Sequence, residues 1–166
     1  MELLDKVLRS IGSALYKMAG GQPGAKEERN KAEIRKIFNE KVKDGESYDV
    51  VAGVNMVITN KLTKQIQTYY NYIIGYRDGD DPELVIISTT YDFASVSEPV
   101  VCKKSECKKA EYDSAGKFSI THPKLGDAPL DFVIIVTAGW GTLIIPVSYV
   151  EEFTPFVEFF QNRFAK

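Results

Sequence analysis

From Asp49 onward the hydrophobic period of the chain is two, and the segments that carry it are joined by only a few residues. Parallel strands need crossovers of about a dozen residues or more, so connections this short restrict the chain to an antiparallel sheet. Val50, Ala52, Val54, Met56 and Ile58 share one strand face. Asn60 to Lys64 turns the chain, and Ile66, Thr68, Tyr70, Tyr72, Ile74 and Tyr76 alternate through residues 65–76. Asp78-Gly79-Asp80-Asp81-Pro82 is a run of turn formers, followed by an apolar, β-branched strand from Leu84 to Thr90. A strand is placed between Val100 and Tyr112, then a hairpin turn at Asp113-Ser114-Ala115-Gly116 and a returning strand from Lys117 to Thr121. Leu130 to Ala138, almost wholly apolar, reads as a central strand; Gly139-Trp140-Gly141 turns into a last strand, Thr142 to Val147.

Helical periodicity brackets this region. In residues 3–18, Leu4, Leu8, Ile11, Leu15 and Met18 recur at steps of three and four, which predicts an amphipathic helix. Residues 19–25, rich in Gly with one Pro, read as a tether. A second helix is predicted over 26–43, mostly charged, with Ala32, Ile34, Ile37, Phe38 and Val42 as its apolar stripe and a surface pair between Glu27 and Lys31. At the other end Val150, Phe153, Val157, Phe160 and Phe164 form a stripe too apolar to leave in water. Ser148 and Glu151 have the spacing of a capping box. Pro155 suggests either a kink in a helix begun at Ser148 or, the expected reading, a fresh helical start capped by Thr154.

The expected class is therefore α+β: a strongly bent antiparallel sheet or partly open barrel of about seven strands, two N-terminal helices and a C-terminal capping helix. Residues 1–25 form helix plus tether, and residues 26–166 a single domain. The even-numbered side chains of residues 50–76 are expected to line the interior, with Val150 to Phe164 as a lid. At 166 residues the chain can bury a core without metal or disulfide support.

This order of elements resembles pleckstrin-homology-like domains, in which a bent sheet is plugged by a terminal helix. The ending Leu143-Ile144-Ile145-Pro146-Val147-Ser148-Tyr149-Val150-Glu151-Glu152-Phe153 is similar to the final strand, Pro and helix start of bacterial members. The resemblance covers residues 48–165. Lipid-binding members carry a basic cluster in the first hairpin, where this chain offers only Lys61 and Lys64. Eukaryotic members carry a Trp in the terminal helix, where here Trp140 precedes it. Phosphoinositide binding is thus not part of what the resemblance implies.

Composition narrows the function. Lys and Arg number 21 against 23 Asp and Glu, a net charge of −2 that argues against nucleic acid as a partner. The acidic start and the absence of a long apolar run lead to an expectation of a cytoplasmic protein. His122, the single histidine, reads as an ordinary loop residue, with no paired nucleophile or nucleophile elbow. Cys102 and Cys107 lack the second pair a closed zinc site needs, and are expected as one half-buried and one exposed thiol. Asp78, Asp80, Asp81 and Glu83 lack a full calcium spacing, and Gly139-Trp140-Gly141 lacks the third glycine and helix of a dinucleotide loop. No catalytic residue, metal or cofactor is assigned. Tyr69, Tyr70, Tyr72 and Tyr76 are pocket candidates beside a packing role.

The expectation is a non-catalytic interaction module, with an unidentified protein partner or a second copy as its target. The alternative is a peripheral membrane protein held weakly by Leu4, Leu8, Ile11 and Leu15 together with Lys103, Lys104, Lys108 and Lys109. A small enzyme ranks last. A charged edge that resists strand-to-strand association is the preferred reading of those lysines.

Overall fold

A computed structural model describes residues 24–139 and 141–166. The helix expected at 3–18 and Trp140 lie outside the described residues. Helix α1 spans Ala25–Lys41. The strands follow as β1 Asp49–Lys61, β2 Lys64–Arg77, β3 Glu83–Thr89, β4 Val100–Lys103, β5 Lys109–Tyr112, β6 Phe118–Thr121 and β7 Leu130–Ile134. Helix α2, Val150–Phe159, runs on into a wider π turn, Phe160–Phe164. Every strand pair is antiparallel, in the order β4-β3-β2-β1-β7-β6-β5, and the sheet curls into a half-barrel. None of the described helices is long and apolar enough to cross a membrane.

The two apolar stripes of the first hairpin lie on opposite faces of the sheet, not on one. Lys61 pairs with Lys64, so every odd residue of β1 stands opposite an even residue of β2: Val51 with Ile74, Gly53 with Tyr72. Directly opposed residues share a face, and a one-residue change of register would flip every side chain. Tyr72, Ile74 and Tyr76 therefore line the interior with Val51, as expected for β2. Val50, Ala52 and Val54 face the other way, toward α1. The expected even-numbered interior holds for Tyr72, Ile74 and Tyr76 of β2, fails at Ile66, Thr68 and Tyr70 where β2 runs past its neighbours, and is wrong for β1.

Each face has its own cover. Inside, Phe118 packs at 4.9 Å from both Phe156 and Phe160 and at 5.2 Å from Phe132, ring centroid to centroid, and Tyr76 lies 5.1 Å from Phe156. Burial of each such ring is worth about 1.5–3 kcal/mol. Phe156, outside the expected stripe of the terminal helix, is fully buried, as are Phe160 and Phe164. Outside, α1 buries Ile34, Ile37 and Phe38. The Phe38 ring sits where a Cβ on Gly75 would be, 2.1 Å from its Cζ, so a glycine there lets helix and sheet approach. Ala32 is exposed, and Lys31 pairs with Glu152 of α2.

Three further expectations change. The single strand over 100–112 is two strands divided by a 3₁₀ turn at Lys104–Glu106. Thr142 to Val147 is not a strand: the Asn71 side chain accepts from the Ile145 N–H and donates to the Leu143 carbonyl, replacing ladder bonds. The count of seven survives because one strand is gained and one lost. Helix α2 begins at Val150 and passes through Pro155 without a fresh start. Ser148 forms no capping box; its hydroxyl donates to the Val136 carbonyl.

Candidate functional site

The β1–β2 hairpin is much longer than its neighbours. β3 pairs with β2 only from Asn71 to Arg77, and β7 pairs with β1 only at Gly53 and Val54. Residues 55–70 thus project as a two-stranded ribbon closed at Leu62, which is fully exposed and has φ +37°. No charged residue lies between Asp49 and Lys61 or between Lys64 and Arg77. Apart from Lys61 and Lys64 at its tip the ribbon is uncharged, and it exposes apolar side chains: Met56, Val57, Ile58, Ile66 and Tyr70 are all exposed. Isolated two-stranded hairpins are marginal in water, and apolar, uncharged strand edges invite pairing.

Alternation locates the open backbone groups. The Ala52 carbonyl accepts from Ile135 N–H, so at β1 the even residues direct their main chain toward β7 and the odd ones toward β2. In an antiparallel pair a residue bonded to one neighbour turns its groups from the other. By the register, the even residues of β2 then bond to β1, while Gln67 and Tyr69 turn N–H and C=O outward, past the end of β3. Among the described residues no main-chain partner meets them there.

A groove of about 530 Å³ lies along this edge, between Thr68, Tyr69 and Tyr70 on one side and Ser88 to Asp92 on the other. Its far wall is held firmly. Thr90 N–H donates to Ser95 C=O, the Asp92 carboxylate accepts from the Thr90 hydroxyl and Ala94 N–H, and Thr89 bridges Val96. Those bonds hold the Asp92 carboxyl below the usual carboxylate range. Tyr70 and Tyr91 present exposed rings at the groove. Of the four tyrosines singled out by sequence, Tyr69 and Tyr70 line it, while Tyr72 and Tyr76 are core residues. Tyr91 was missed, since nothing in its sequence neighbourhood distinguishes it from a loop residue.

The other sequence candidates fall elsewhere. Leu4, Leu8, Ile11 and Leu15 lie outside the described residues. Lys103 is on β4 and Lys109 on β5, the two outermost strands, so the run including Lys104 and Lys108 is divided across the sheet's two edges. Lys109 pairs with Glu111. His122 lies in the loop after β6 and is buried, its Nδ1 accepting from Lys124 N–H to cap a 3₁₀ turn. Both cysteines are buried, because the turn at 104–106 breaks the alternation that would have exposed one. Burial pushes the Cys102 thiol up to about 12 and Cys107 to about 11, so neither is a ready nucleophile. The acidic turn disperses: Asp78 bonds Arg163, Asp81 bonds Ser105, and Glu83 is buried between Tyr48 and Arg77. Comparison with family models, curated proteins and solved structures found no match.

Proposed function

We propose that this chain is a non-catalytic interaction module of pleckstrin-homology-like architecture, and that its ligand is an extended peptide segment added to the outer edge of β2. The observation that carries the reading is the coincidence of an open strand edge at Gln67 and Tyr69 with a groove bearing Tyr70 and Tyr91. Strand addition draws its affinity from main-chain bonds along such an edge and its selectivity from pockets for alternate side chains. The groove suits a ligand with aromatic or branched apolar side chains at alternate positions, since Asp92 is already engaged by its own loop. The strand order and the terminal helix over the open end support the family reading.

The test is selection of random peptides on the full chain, followed by measurement of the selected sequences against two variants. Gln67→Pro removes a main-chain donor at the edge, and Tyr91→Ala removes a wall of the groove. Binding at least tenfold weaker to each variant is expected. Peptides that bind both variants unchanged would overturn the reading. Sedimentation of the full chain with anionic vesicles, undiminished by Tyr91→Ala, would favour the peripheral-membrane alternative.

A further inference from the structure

The ribbon has a face as well as an edge. Val54, Met56 and Ile58 share one face with their partners Asn71, Tyr69 and Gln67. Nearer the base α1 covers this face, and Leu143 to Ile145 crosses it at Asn71. Beyond Asn71 the cover stops: Met56, Ile58 and the adjoining Leu143 are each 47% exposed. We propose that residues 3–18 dock as a helix along this face, with Leu4, Leu8, Ile11, Leu15 and Met18 against Met56, Ile58 and Tyr69.

Position and length favour this occupant. The segment joins α1 at Gly24, and α1 is anchored near that end by Asn30, whose side chain donates to the Pro146 carbonyl. That places Asn30, about 9 Å along the helix from the join, beside the strand-like stretch bordering the exposed face. Residues 19–23 can span up to ~17 Å. The stripe from Leu4 to Met18 is ~21 Å long at 1.5 Å per residue, and the ribbon from Asn55 to Lys61 measures ~20 Å at 3.4 Å per residue. With Met18 toward the base, the opposite end of the helix reaches the ribbon tip. A sixteen-residue amphipathic helix and a bare two-stranded ribbon are each marginal alone in water; each supplies the apolar surface the other lacks.

The experiment is a disulfide scan in the full chain. Ile58→Cys is combined in turn with Leu8→Cys, Ile11→Cys, Arg9→Cys or Ser13→Cys, and oxidised with glutathione; the native thiols are buried. Intramolecular bonds at positions 8 and 11 are expected at least tenfold faster than at 9 and 13. Equal rates at all four positions, or no bond at any, would overturn the proposal. So would bonds that join two copies, which would make a second chain the occupant. Peptide binding is read separately through Tyr91→Ala, so either proposal can fail while the other stands.

Discussion

Val51 and Ile74 face each other near the base of the β1–β2 hairpin and are wholly buried, whereas Ile58, further along the same strand and opposite Gln67, is 47% exposed. The hydrophobic alternation is the same in both halves. At the base, α1 covers one face and the aromatic interior the other, so even adjacent residues such as Val51 and Ala52 are both buried. Past Asn71 and Val54 the neighbouring strands stop, and the same pattern is left exposed. Burial in a strand is thus set by what lies on each face, and periodicity reports only that two faces exist.

The base should therefore be sensitive and the ribbon tolerant. Ile74→Ala, inside the half-barrel, should lower stability by about 2–5 kcal/mol, through lost burial and a residual cavity, as read by urea unfolding. A cost below 1 kcal/mol would mean that the base is not a packed core. Gly75→Ala should cost about 1–3 kcal/mol by driving a methyl group into the Phe38 ring, and Phe38→Ala in the same chain should relieve part of that strain. A smaller, pH-dependent effect belongs to Tyr48, next to the base. Burial, reinforced by its hydrogen bond to Glu83, raises its pKa from 10.0 to about 12. Below pH 10 the phenol is neutral in both states and its stabilisation is complete. Between pH 10 and 12 only the unfolded chain ionises, so stability should fall across that window, and less steeply in Tyr48→Phe. Smallest of all, Val57→Thr and Ile66→Thr in the ribbon should each stay within about 0.5 kcal/mol of the parent.

The class of the fold was legible because it rests on local signals. Short turns compel antiparallel pairing, and the Phe-rich stripe of residues 150–164 had to cover something. The failures turned on details that periodicity does not carry: a partner distant in sequence, or the parity of a closing turn. Asn71 takes the backbone bonds of Leu143 and Ile145 and so abolishes a strand that looks sound locally. The parity of the Lys61–Lys64 closure, not either stripe, decides which face each stripe occupies. Of the candidate site, Tyr69 and Tyr70 stood out in the tyrosine-rich stretch of residues 65–76, but the open edge beside them did not, because it depends on where β3 ends. Tyr91 was not, because only the loop geometry brings it beside Tyr70.

The claim on which the rest depends is that the body is complete without the projecting ribbon. Replacing residues 56–69 by Asn-Gly, a pair suited to closing a two-residue turn between Asn55 and Tyr70, tests it in one thermal unfolding measurement. The shortened chain should unfold cooperatively within about 5 °C of the parent, a difference on the order of 1–2 kcal/mol. A midpoint lower by about 15 °C or more, or loss of the cooperative transition, would show that the ribbon belongs to the folded core and is not an element held out for docking.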